Sequence, residues 1–242
     1  MGLFDFVLPF GSEEKQIQRH GKRVRNMNSS LEDREASARW LADNGSPEAI
    51  YQMLRRYDQT YEHQMKDLGE KELIDALAMS LGERALEPLR AYCLKNKSFA
   101  RPLKVYERLT SPDLAKALTL EMLAMEAERS ELKPAKKREV LIKLADYRDP
   151  EIPGVVLEHL AAFDEGVRYA AAEVLIAQHE TDTIRAALLE ALANGDEDSN
   201  RLRVRLAEIA TTRRWALGEH AAALSEAPPP GFVVRGEVLV KG

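Results

Sequence analysis

The sequence predicts an all-α protein built from about six stacked helix-turn-helix repeats, with a short strand-like tail. Three observations carry this. Apolar residues recur at helical spacing, as at Ile184, Leu188 and Leu192. Aromatic residues are only 6% of the chain, and glycine and proline are sparse through its middle, so the core is expected to be aliphatic and helical. Turn and cap chemistry returns roughly every 28 to 38 residues, at Ser46, Glu83, Ser111, Asp149, Thr181 and Thr212, a period characteristic of helical arrays.

Residues 1–30 form the first segment. Leu3, Phe4, Phe6, Val7, Leu8 and Phe10 crowd the stretch MGLFDFVLPF, and the basic residues Lys15, Arg19, Lys22, Arg23 and Arg25 follow. Burying each Leu or Phe gains about 1.5–3 kcal/mol, and ordering each backbone residue costs about 1–2 kcal/mol. The stretch is therefore expected to order only against a preformed surface: its own first repeat, a partner protein, or an anionic membrane. Asp5 and the Glu13–Glu14 pair favour a protein surface in this reading, with peripheral membrane contact as the second choice.

The repeats are expected over 31–61, 68–95, 99–127, 134–162, 164–193 and 197–224, within a domain spanning 31–224. Arg34, Leu41 and Ile50 share their spacing with Arg168, Leu175 and Ile184. Partial copies are Glu70, Leu77, Leu86 and Lys137, Leu144, Ile152. Ser46 and Ser111 precede prolines and are expected to be N-caps. Leu73, Ala76, Leu77, Ser80 and Leu81 are expected to form the inner face of their helix. Ala170–Ala172 is expected to be a close-packing surface, because small side chains let helices approach. The links at 60–69 and 126–134 are the irregular ones, the second of them charged and expected to protrude.

Residues 225–242 make the third segment. Pro228–Pro230 should stop the last helix. Beyond it, FVV and VLV flank Gly236, which suits a small hairpin or a strand donated to another sheet, with a frayed tail as the alternative.

The stretch DEGVRYAAAEVLIAQHETDTI resembles the HEAT-like repeat first named from phycobilisome lyases: an acidic residue, Val-Arg, alanines, Leu, a polar turn, then an aliphatic residue. The first and fifth units match it well, the second and fourth in part, the third and sixth by spacing only. The resemblance implies a right-handed α-solenoid. It also implies that Arg34 and Arg168 are structural, pairing with acidic residues of adjacent repeats.

No reaction is announced. The five histidines lack metal-ligand spacing, and HExxH, CxxC and glycine-rich phosphate motifs are missing from the sequence. Cys93 shares an apolar row with Leu86 and Leu89, as a core thiol would. Adjacent carboxylates such as Asp164–Glu165 do not face each other on a helix. With a net charge of -5, nucleic acid is not the expected ligand, and the second helices of the repeats are mixed to slightly acidic. The basic stretches 133–143 and 201–214 are candidate phosphate strips set against ordinary helix solvation.

The expected function is a protein-interaction scaffold or adaptor, without enzymatic activity, cofactor or metal. The alternative is a HEAT-like enzyme acting on nucleic acid, as alkylpurine DNA glycosylases do, or on a bilin. Arg55, Arg56 and Tyr57 are expected to be an exposed interface run. Phe232 and Val234 are candidate partner contacts in the tail. No early positive charge or membrane-length apolar run is present, and Phe6 breaks the myristoylation pattern, so a cytoplasmic location is expected.

Overall fold

A computed structural model of the chain describes residues 10–127 and 134–242, with side chains over 13–126 and 134–242. Phe4 and Phe6, the Phe10 side chain and most of the 126–134 link lie outside the described residues. The fold is mainly helical, with one two-stranded sheet, and the chain divides into two compact units, Met1–Met122 and Leu123–Gly242.

The first unit opens with α1 (Phe10–Arg25), α2 (Leu31–Asn44), α3 (Pro47–Leu54) and a 3₁₀ turn over Arg55–Asp58. Then come α4 (Gln64–Leu81), a second 3₁₀ turn, α5 (Leu86–Lys95), α6 (Ala100–Leu109) and α7 (Pro112–Ala127), which contains the division. Helix α1 lies on α2 and α3. First helices stack on first helices, α2 on α4 and α4 on α6, while α3 stacks on α5.

The second unit holds α8 (Ala135–Leu144), α9 (Ile152–Val156) with a 3₁₀ extension over Leu157–Ala161, α10 (Glu165–Ala177) and α11 (Asp182–Ala193). It ends with α12 (Asn200–Arg213), a 3₁₀ turn over Gly218–His220, α13 (Ala221–Glu226), β1 (Phe232–Arg235) and β2 (Val238–Lys241). Helix α10 packs on α8 and α12, and α11 packs on the 3₁₀ extension and α12.

A helix pair falls in each of the six expected segments, because the breaks between them carry local capping chemistry. Ser30, Ser46, Ser111, Asp164, Thr181 and Ser199 each accept a hydrogen bond from a backbone N–H three residues on, at 3.0–3.3 Å. Gly45 ends α2 in the left-handed region at φ 62°, and a Cβ there would overlap the Arg84 guanidinium. Leu41, Ile50, Leu175 and Ile184 are buried, as are Ala170, Ala171 and Ala172.

The inner face of α4 differs from expectation. Its buried row is Asp67, Glu70, Ile74 and Ala78, while Ala76 and Ser80 are exposed. Two carboxylates sit on the true inner row, so the flanking leucines dominated the apolar pattern and pulled the phase off by about one residue.

The tail forms the hairpin. Helix α13 stops before Pro228, Gly236 turns the chain at φ 62°, and Val233 pairs with Val240 in the antiparallel ladder. The hairpin docks on its own unit: β1 contacts α13, β2 contacts α12, and Leu217 N–H donates to the Glu237 carbonyl at 2.8 Å. Phe232 is buried and Val234 half-buried, so the expected partner contact at Phe232 is covered by the chain itself. A lone hairpin is marginal in water, and this docking is what sustains it. Deleting 228–242 is expected to lower stability by about 1–3 kcal/mol, since Phe232 and Leu239 leave their cover while the cost of ordering the tail also vanishes. An unchanged thermal melt would show that the tail does not cap its unit.

Candidate functional site

Three charged features dominate the described surface and interior, and they do different things. The first is a set of arginine pairs that tie successive helix pairs together. Arg34 reaches back to the Ser29 carbonyl and forward to Glu70, with Nε to Oε2 at 2.9 Å. Arg168 repeats the arrangement: back to the Phe163 carbonyl at 2.9 Å and forward to Glu197 at 2.8 Å. Each arginine thus clamps the entry to its own helix to an acid one repeat further on. Glu70 stands where the second repeat replaces its arginine, so that apparent departure supplies the partner of the arginine before it.

Glu70 also receives Arg56 Nε at 3.0 Å, and Arg56 Nη2 donates to Asp67 at 2.7 Å. Arg56 is 1% exposed and Tyr57 4%. The expectation of an exposed Arg55–Tyr57 run is therefore corrected. The 3₁₀ turn rotates Arg56 and Tyr57 inward, where Tyr57 donates to Asp75 at 2.6 Å, and leaves only Arg55 half-exposed on Asp58. Burial alone would raise the Glu70 carboxyl, but hydrogen bonds and charges from Arg34 and Arg56 outweigh it and hold Glu70 below its ordinary range. Asp67 is held low in the same way by Lys71 and Arg56, against its burial.

The second feature is the outer face of α1. Ile17 and Val24 are buried, and at Gly21 the helix approaches so closely that a Cβ would sit 2.7 Å from Gln52 Oε1. That contact fixes which face turns outward. Lys15, Arg19 and Lys22 are exposed there, with Arg23 half-exposed, around an open cleft of about 800 Å³ that the exposed Glu14 and Asn26 and the half-exposed Gln18 and Ser29 also line. None of these four cations forms an ion pair among the described residues. Arg25, expected in the same strip, is not on this face: it folds back on the Gly21 carbonyl at 3.0 Å, and burial followed by the nearby Arg55 charge lowers its pKa. His20 stacks on Trp40 at 4.2 Å, and burial, then Arg23 and Arg19, push its imidazole below the ordinary value.

Much of the other two basic stretches is held by structure. Lys136 and Lys137 are buried, Lys136 beside Glu126. Arg205 holds Glu173, Arg213 holds Glu180, and Arg201 lies 3.8 Å over the Tyr169 ring. Among the described residues, exposed Arg138 and Arg214 are what these stretches leave outside such contacts, one in each.

The third feature is a groove of about 860 Å³ in the second unit, running over the 3₁₀ extension, α11 and the start of α13. Leu157, Leu160, Ala187 and Ala191 give it an apolar floor, and the exposed Glu158, Glu190 and Glu219 stand around it with no Lys or Arg in the lining. His159, on the 3₁₀ extension, is buried with Nε2 3.8 Å from Glu158, and burial keeps its imidazole below the ordinary value. Sequence reasoning missed this groove. The available signal was the recurrence of Glu158, Glu190 and Glu219 about one repeat apart, next to the alanines that flank Ile184, Leu188 and Leu192.

Cys93 is buried in the core of its unit. Among the described residues no group of three metal-ligating side chains gathers, and no helix is long and apolar enough to cross a membrane. No family model, no curated protein and no solved structure matches this chain.

Proposed function

We propose that the chain is a protein-interaction scaffold or adaptor, whose helix pairs are HEAT-like repeats wound as a right-handed α-solenoid and whose second unit carries the partner groove. The shared Arg34 and Arg168 clamps and the first-on-first helix stacking within each unit support the repeat reading. The observation that carries the function is the apolar groove lined by Glu158, Glu190 and Glu219 with no Lys or Arg beside them in its lining.

Such a groove suits a cationic amphipathic helix. Its apolar side chains would cover Leu157, Leu160 and the alanines, and its lysines or arginines would meet the three carboxylates. The alanines matter because a floor of short side chains lets a helix approach closely. The test is fluorescence anisotropy of the full chain with a Leu/Lys amphipathic peptide and its Leu/Glu counterpart. Selective binding of the Leu/Lys peptide is expected, weakened about tenfold or more by Glu190→Lys with Glu219→Lys, on the order of 1.4 kcal/mol or greater. Equal affinity for both peptides, or no effect of the two reversals, would remove the groove from the reading.

A further inference from the structure

We propose that Asn194, the residue that follows α11, is a site of spontaneous deamidation, and that its conversion adds a fourth carboxylate to the partner groove. The site stands on the geometry of its loop; its effect on partner binding rests on the groove reading above.

The sequence holds two Asn-Gly steps, Asn44–Gly45 and Asn194–Gly195. In such a step the glycine nitrogen, with no Cβ crowding it, attacks the side-chain carbonyl carbon of the asparagine. The new N–Cγ bond closes a cyclic imide, the Cγ–Nδ2 bond breaks, and Nδ2 leaves as ammonia with the proton of the glycine nitrogen. Water then opens the imide. Cleavage at Cγ leaves aspartate, and cleavage at the backbone carbonyl leaves isoaspartate. Either way ammonia is lost, water is gained, and a neutral amide becomes a carboxylate.

The two steps are held differently. Asn44 is the last residue of α2, and the Gly45 N–H is spent on the Leu41 carbonyl at 3.1 Å. Asn44 Nδ2 donates to Glu13 at 2.8 Å, and the Arg84 guanidinium covers Gly45. Asn194 has left its helix, with extended backbone at φ -62° and ψ 114°, and both Asn194 and Gly195 are exposed. Among the described residues no hydrogen bond holds the Gly195 N–H. Ring closure needs rotation about the Asn194 Cα–C bond, and the space for it exists: a Cβ added at Gly195 would meet nothing within 4 Å. The Asp196 N–H donates to Asn194 Oδ1 at 3.0 Å, on the oxygen that gains negative charge as the nitrogen adds. The Ser46 N–H does the same for Asn44 at 3.2 Å, so the contrast lies at the nucleophile and not at the carbonyl.

Position gives the reaction a consequence. Asn194 lines the groove one helical turn beyond Glu190, together with Glu158 and Glu219. A carboxylate at 194 would join these three with no Lys or Arg in the lining to offset it.

The test is incubation of the full chain at mildly alkaline pH, folded and in urea, followed by mass mapping of the tryptic peptides 40–55 and 186–201, which carry the two steps. In the folded chain Asn194 is expected to convert about tenfold or more faster than Asn44, because a bonded segment reacts only from its opened state. In urea the two rates should converge, which separates structure from sequence. Gly195→Ala should slow conversion at Asn194 and keep the thermal transition of the parent chain, since the added Cβ meets open space. Equal folded rates, a faster Asn44, or no conversion at Asn194 would overturn the site. Asn194→Asp is expected to bind the Leu/Lys amphipathic peptide about twofold to fivefold tighter than the parent chain, as one added surface charge pair does. Unchanged affinity would overturn the role of the added carboxylate. If neither form binds the peptide while Asn194 still converts first, the groove reading fails and the effect on binding with it, and the deamidation site stands.

Discussion

Glu70→Gln is expected to destabilise the first unit by about 3–5 kcal/mol, the range seen when one member of a buried ion pair is removed. Glu70 is 4% exposed and bonds to two guanidiniums that are themselves buried, Arg34 and Arg56. The glutamine keeps the volume and one acceptor oxygen, so the loss isolates charge from packing. Arg56 retains Asp67, which it shares with Lys71, and Arg34 retains the Ser29 carbonyl, but the buried Arg34 guanidinium loses its carboxylate. Urea unfolding of the variant beside Glu83→Gln, an exposed control, measures the difference. A Glu70→Gln cost no larger than the control would mean that the clamp contributes nothing.

The same network sets an acid limit. Glu70 and Asp67 have folded pKa values below their ordinary 4.5 and 3.8. The unfolded chain therefore takes up their protons first as pH falls. Their contribution is fully present above those ordinary values and is lost as pH drops through the lower folded ones. His159 adds a milder effect at higher pH: its folded pKa lies below 6.5, so acidification through that value favours the unfolded chain, which protonates more readily. Stability should thus begin to soften near pH 6.5 and fall more steeply below about 4.5. Glu70→Gln should flatten the lower limb and leave the upper one in place.

Helix pairing was legible because its signals are local. An N-cap and the N–H it satisfies lie three residues apart, so Ser46–Pro47 and Ser111–Pro112 mark helix starts from sequence alone. The tail hairpin was legible for a similar reason, since Gly236 and the flanking β-branched residues define the turn. What joins one repeat to the next was harder to see. The partner of Arg34 is 36 residues away, and the 3₁₀ turn that buries Arg56 and Tyr57 gives no sign of its inward rotation in the string Arg-Arg-Tyr. The inner row of α4 was misplaced because buried carboxylates look like a solvated face until their arginines are located. On the functional side, the α1 strip could be found as a run of basic residues. That Arg25 leaves it, while Lys136, Arg205 and Arg213 of the other basic runs are held in buried or paired contacts, depends on tertiary contacts.

Leu175→Ala is expected to cost about 2–5 kcal/mol, and the surroundings place it in the upper part of that range. Leu175 is fully buried on α10, which also buries Ala171 and Ala172 and packs on α8, whose Val140, Leu141 and Leu144 are buried too. A truncation is cheap only where neighbours move in to fill the space. Here the alanines of α10 already set the distance to neighbouring helices, and their short side chains have no rotamers with which to fill a void. The arginine clamps at Glu197 and Glu173 further resist a shift of α10 toward α12. The cavity should therefore persist, with the denaturant midpoint moving and the slope unchanged. Ile142→Ala is the matched control: on α8 but 57% exposed, it should cost less than about 0.5 kcal/mol. If the two truncations prove equal, the apolar face that repeats from Leu41 to Leu175 is not the core of these helix pairs, and the repeat reading falls with it.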